Sequence, residues 1–277
     1  MLVLLALICA ASSAAGRQGF ELPYDLVVAR DGTIYVTDRS RILRVEPKSG
    51  RVGLHRRIPG TSELTALARL ADGTFLAADL PSGKIVRIPP KGAVATVANV
   101  PMPVDLLPVR GANSVWVASI ADDIGLVRVD LGTGVVEPFT RVDKPHGLDR
   151  LPDGDLVVHD GHAVSRVDAT TGAATPFARV DAFELTATPS GVVYGVTGGP
   201  NGGRVVRISA TGRVTPVAGT GRLGRHRDGP ALRAPMLPSA IALGRDDSLV
   251  VAQIEPVPAI RRLDVRRGAI VTIALGR

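Results

Sequence analysis

One pattern recurs six times along the chain and leaves few folds open to it. A short apolar strand, a glycine-containing turn, a β-branched strand and an arginine-rich strand follow one another. The copies are LPYDLVVARDGTIYVTD (22–38), LTALARLADGTFLAAD (64–79), MPVDLLPVRGANSVWVAS (102–119), KPHGLDRLPDGDLVVHD (144–160), AFELTATPSGVVYGVT (182–197) and LPSAIALGRDDSLVVAQ (237–253). From the turn at Asp31-Gly32 to the turn at Asp246-Asp247, five intervals average about 43 residues. That is the length of a four-stranded propeller blade.

The local chemistry agrees with the period. Asp-Gly and Thr-Gly pairs supply the positive φ that tight hairpins demand. Alternation within strands, as in Thr33-Ile34-Tyr35-Val36-Thr37, has period two, and no window carries a helical stripe. Third strands follow at SRILRVEP (40–47), GKIVRIPP (83–90), GLVRVDL (125–131), AVSRVDA (163–169), GRVVRIS (203–209) and AIRRLDV (259–265). Fourth strands such as GVVEPFTRV (134–142) complete each unit. One apolar residue recurs in every first strand: Leu26, Leu67, Leu106, Leu148, Leu185 and Ile241. These are expected to pack between blades. The expectation is an all-β, six-bladed β-propeller over residues 16–277, with blades starting near 22, 64, 102, 144, 182 and 237.

Residues 1–15, MLVLLALICAASSAA, carry no charge, and Ser13-Ala14-Ala15 before Gly16 resembles an export cleavage site. A signal peptide is expected there, although its basic n-region is missing. The expected destination is secreted or periplasmic, with no transmembrane segment in the mature chain. The single cysteine, Cys9, falls in this leader, so neither a disulfide nor a cysteine metal cluster is available. The formal charge of +7 is mostly arginine, grouped at Arg56-Arg57, Arg222/Arg225/Arg227 and Arg261-Arg262/Arg266-Arg267. With aromatics at 3 % there is no stacking platform for bases, so nucleic acid is not an expected partner.

The stretch from Ala218 to Leu243, AGTGRLGRHRDGPALRAPMLPSAIAL, resembles the inter-blade segment of NHL-repeat propellers. Blades one and four resemble the related SMP-30/gluconolactonase group, whose blades run from a proline through an Asp-Gly turn to an acidic strand end. The resemblance covers essentially everything after residue 20. It implies an ordered crossing loop between blades five and six. Lactonases of that group bind a divalent metal through a Glu two residues before the first-blade proline, an Asn after a second proline and an Asp after a third. Glu21 matches the first, His146 (in PHG) replaces the Asn, and Ser239 (in PSA) replaces the Asp. His146 also resembles a histidine of propeller lyases that serves as ligand or general base, which makes it the candidate catalytic residue. No other histidine sits at an equivalent position.

Propellers bind ligands where the loops leading into the first strands converge. The residues next to the aligned prolines give the expected channel-mouth set: Tyr24, Asp25, Thr65, Asp105, His146, Glu184 and Ser239. Three carboxylates, Asp25, Asp105 and Glu184, alternate with small residues around the ring. Carboxylates so placed repel unless protonated, solvated or bridged by a cation. With Glu21 they form the candidate metal set, suited to Ca²⁺ or another divalent cation with oxygen ligands. The alternative is that they cap turns or pair with arginines. The strand-ending Asp38 and Asp79 are expected to accept turn amides. The leading functional reading is an exported, monomeric module that binds a small molecule or protein. The alternative is a divalent-metal lactonase or hydrolase.

Overall fold

A computed structural model describes residues 19–276 of the chain. The expected leader therefore lies outside the described residues. Six antiparallel sheets follow in chain order, each with its first strand innermost and four strands laid outward in sequence order. The first strands are Pro23–Val28, Leu64–Arg69, Pro103–Pro108, Leu148–Arg150, Glu184–Ala187 and Leu237–Leu243. The six-bladed all-β propeller is thus as the repeat indicates. Blade four enters its ladder four residues later than the repeat suggests. Lys144 has a positive φ of 41° ahead of Pro145, as Met102 (45°) has ahead of Pro103, yet of these two blades only blade three pairs from its proline onward.

Each blade buries both faces, so the apolar residues sort by period two into two different interfaces. In blade two, Phe75 packs with Ile42 and Ile58 of blade one, whereas Leu76 packs with Leu106 and Val115 of blade three. The recurring first-strand residue always belongs to the cluster shared with the preceding blade. Leu26, Leu67, Leu106, Leu148, Leu185 and Ile241 are all 5 % exposed or less. Burying one such side chain contributes about 1.5–3 kcal/mol, and the ring repeats that contribution at every interface.

The ring closes by packing rather than by exchange of a strand. Blade six is completed by its own outer strand, Ala269–Leu275, and Phe20 fills the seam between blades six and one. The crossing segment is ordered, as the resemblance implies. The Gly219 amide donates to the Ala231 carbonyl, Ala231–Arg233 forms a 3-10 turn, and Gly229–Pro230 adds a short fifth strand to the edge of blade six. Among the described residues no helix is long and apolar enough to cross a membrane.

One glycine shows how closely the inner strands approach. A Cβ on Gly147 would lie 2.7 Å from both Glu184 Cα and the Phe183 carbonyl oxygen of blade five. Gly147→Ala is therefore expected to destabilise the protein by about 1–3 kcal/mol, the usual cost of overpacking a tight contact. The urea midpoint measures it.

Candidate functional site

Blade faces turn inward at the axis, and there the polar residues singled out in the sequence meet backbone from the adjacent blade. Asp25 Oδ1 accepts the amide of Leu26 (2.6 Å), and its Oδ2 accepts the amide of Leu67 in blade two (2.6 Å). Asp105 repeats the arrangement, taking Leu106 (2.6 Å) and then Leu148 of blade four (2.7 Å). Asp149 does the same one pleat further along, taking Arg150 (2.7 Å) and Ala187 of blade five (2.7 Å). Hydroxyls serve two of the remaining joins. Thr65 donates to the Pro103 carbonyl at 3.0 Å, and Ser239 donates to the Pro23 carbonyl at 2.6 Å, across the seam that closes the ring. Tyr24 donates its hydroxyl to Glu63 in the loop leading into blade two.

The mouth set is therefore mostly an inter-blade set. Asp149 and Glu63 were not singled out from the sequence. Asp149 lies two residues beyond the Asp25-equivalent position, which the strand period places on the same face. Glu184 occupies the Asp25-equivalent position in blade five. Among the described residues no hydrogen bond joins its carboxyl to blade six.

Burial dominates the protonation of these acids. It raises Asp25 to about 7, against the pull of the Leu67 and Leu26 amides. Burial, then the charge of Asp25, pushes Asp105 well above the carboxylate range. Burial, then Asp105 and Asp25, does the same to Glu184. Asp149 is raised by burial as well. Tyr24 is raised by burial and by its bond to Glu63.

The metal candidates do not gather. Glu21 is half-exposed and paired outward with Arg39 (2.8 Å) and Arg41 (3.2 Å), both at the turn between the second and third strands of blade one. Both oxygens of Asp25 and of Asp105 are held by amides, and Ser239 is turned to Pro23. Among the described residues no group of three His, Cys, Asp or Glu side chains is placed to hold a metal ion. The residues present do not fit a resident divalent cation. Asp38 and Asp79 do accept amides, but those of the segment leading into the first strand rather than of the adjacent turn: from Glu21 and Leu22, and from Ser62 and Glu63. Two arginines of the basic clusters are not free surface charge either. Arg261 is fully buried beside Asp228, and Arg56 donates to the Pro89 and Gly92 carbonyls.

His146 has a companion that its position in the sequence conceals. The His159 amide donates to the Gly147 carbonyl, so the end of the second strand lies beside the start of the first. The two imidazoles stand 5.5 Å apart, edge to face. His146 Nδ1 lies 2.9 Å from the Lys144 carbonyl, which places the proton on Nδ1 and leaves the Nε2 lone pair open. His159 is fully buried, with Nε2 2.9 Å from Asp181 Oδ1. Burial lowers the pKa of both rings, keeping them neutral near pH 7. The position equivalent to His159 holds Thr37, Ala78, Ala118, Val196 and Ala252 in the other blades, and that break in the repeat was the available signal.

No protein-family model matches the sequence, and no curated protein sequence matches it. Solved structures share the fold. A virginiamycin B lyase from Staphylococcus aureus superposes with a TM-score of 0.65 at 18 % identity, over 91 % of this chain and 84 % of that one. A gluconolactonase from Xanthomonas campestris gives 0.66 at 14 %, over 94 % and 86 %. A chain of a nidogen/laminin complex gives 0.70 at 15 %, over 87 % and 92 %. At such identities the likeness is one of fold.

Two measurements follow from the axial carboxyls. Asp25→Ala and Asp105→Ala each strand a buried amide of the next blade and should cost about 1–3 kcal/mol. Thr65→Ala should cost less, about 0.5–1.5 kcal/mol. Because the folded pKa of Asp25 lies above its unfolded value of about 3.9, the folded state binds the extra proton. Its contribution is full below pH 4 and is lost as pH rises through about 7. The Tm should therefore fall between mildly acidic and mildly alkaline buffer, and the fall should shrink in Asp25→Asn.

Proposed function

We propose that this propeller is an exported binding module that takes a small molecule or a protein segment at its channel mouth without a resident metal. One observation carries the reading. Of the side chains that a metal-dependent hydrolase would aim at a cation, Asp25, Asp105 and Ser239 are engaged between blades and Glu21 is paired with arginines. What remains for a ligand is a neutral donor and a neutral acceptor. The partly buried Glu184 carboxyl, whose hold on a proton is strengthened by burial and by Asp105 and Asp25, can donate when protonated, and His146 Nε2 can accept. Such a pair suits an uncharged polar group, an amide for instance, better than an ion. The nidogen/laminin chain is named for a complex with a protein, which supports a binding role for this fold.

The lyase and gluconolactonase among the similar structures keep an enzymatic alternative in view. For metal-dependent lactone hydrolysis, however, the residues lack both a gathered ligand set and the carboxylate that Ser239 replaces. Elemental analysis of the dialysed protein, repeated after supplying Ca²⁺, should find metal well below one equivalent per chain. Sugar lactones should hydrolyse no faster than without protein, in wild type and Glu21→Ala alike. Stoichiometric metal that disappears in Asp105→Ala, together with lactone turnover, would overturn the reading. A fragment screen should yield mouth ligands whose affinity drops about tenfold, or about 1.4 kcal/mol, in His146→Ala or Glu184→Gln.

A further inference from the structure

Over blade five the top surface opens into a cleft of about 380 Å³, at the small end of ligand-site volumes. Three segments wall it: the loop leading into the blade, the glycine-rich turn Gly198-Gly199-Pro200-Asn201-Gly202-Gly203, and the start of the crossing segment at Gly221. Two opposite charges line it, Asp181 and Arg204, and they are not paired with each other.

Both charges are held in place by the fold while remaining uncompensated. The Arg204 guanidinium lies against the backbone of Gly221, where a Cβ would come within 3.0 Å of its Cζ. Its Nη2 donates to the Thr220 carbonyl at 3.0 Å, a neutral acceptor. Asp181 is oriented through Oδ1 by the buried, neutral His159, and its side chain stays 56 % exposed. Oδ2 makes no hydrogen bond among the described residues. His159 Nδ1 is itself buried without a partner, so nothing behind the ring supplies the missing positive charge.

The third observation concerns space. Most glycines of the turn are required by contacts. A Cβ on Gly203 would strike the Thr197 carbonyl at 2.1 Å, and one on Gly202 would meet Arg222 at 2.5 Å. Gly199 differs. It has no positive φ, and a Cβ there would meet nothing within 4 Å. Neither backbone nor packing demands glycine at this lining position, and its effect is to leave the cleft open.

We propose that this cleft binds a small zwitterion, its ammonium group on Asp181 and its carboxylate on Arg204. Preoriented opposite charges, each held only by a neutral partner in the fold, favour a ligand that neutralises both and disfavour a ligand bearing one charge alone. The site is separate from the channel mouth, and the proposal does not depend on what binds there.

A ladder of ω-amino acids from glycine to 6-aminohexanoate tests it by calorimetry at low ionic strength, with n-butylamine and butyrate as singly charged controls. One chain length should bind best, saturably and at millimolar concentration or below, and at least tenfold more tightly than either control. Affinity should fall tenfold or more in Asp181→Asn and in Arg204→Gln. Gly199→Leu should fill the cleft and abolish binding while leaving the ligand-free Tm close to wild type. Failure of every chain length to saturate, equal binding of a control, or retained affinity in Gly199→Leu would overturn the proposal. His146→Ala and Glu184→Gln should leave this binding unchanged, which separates its fate from that of the mouth.

Discussion

The hydrogen bond that a first-strand amide donates to an axial carboxyl of the preceding blade is the constraint around which this ring is organised. Apolar clusters fill the six interfaces but are non-directional, and alone they leave register and tilt loosely fixed. Near the axis the strands approach most closely, as Gly147 against Glu184 demonstrates, and there backbone amides face away from water. Asp25, Asp105 and Asp149 satisfy such amides in pairs, one in their own strand and one across the gap. An amide left without a partner in that setting costs about 1–3 kcal/mol. The carboxyls bear a penalty of their own, seen in their raised protonation, which the fixed amides partly offset.

This arrangement also decides what the mouth can do. A carboxyl whose two oxygens each already accept an amide, one of them from the neighbouring blade, has fewer lone pairs left for a cation or substrate. The chemistry at the top surface accordingly shifts to positions where the repeat is broken. His159 replaces a small residue, Glu184 replaces the aspartate that reaches across, and the turn after the second strand of blade five is lengthened and rich in glycine. His146, His159 and Asp181 form a line from the mouth toward the cleft over blade five. In a fold that hosts many functions, such departures from the repeat are where function is to be sought.

Much of the architecture was legible because it depends on local chemistry repeated many times. The Asp-Gly turns, the alternation of strands and the six recurring apolar positions each point to blades. The site was less legible because its bonds join residues about forty positions apart. Asp25 and Leu67 belong to different blades, so only the packed ring shows that a carboxylate facing the axis is an amide acceptor. Glu21 misleads for a related reason. It matches a metal-ligand position, but Arg39 and Arg41 in the adjacent hairpin draw it outward. His159 closes a strand next to Asp160 and so resembles a turn residue, although its ring is buried against Asp181 and beside His146.

Residue-resolved hydrogen exchange tests most directly whether the axial carboxyls hold one blade to the next. In the wild-type protein the Leu67 and Leu148 amides should exchange among the slowest, close to the limit set by global unfolding. Asp25→Ala should release Leu67 selectively, and Asp105→Ala should release Leu148, with the apolar strand interiors still protected. Equal protection of these two amides in wild type and variants would contradict the account, because the joins would then rest on packing alone.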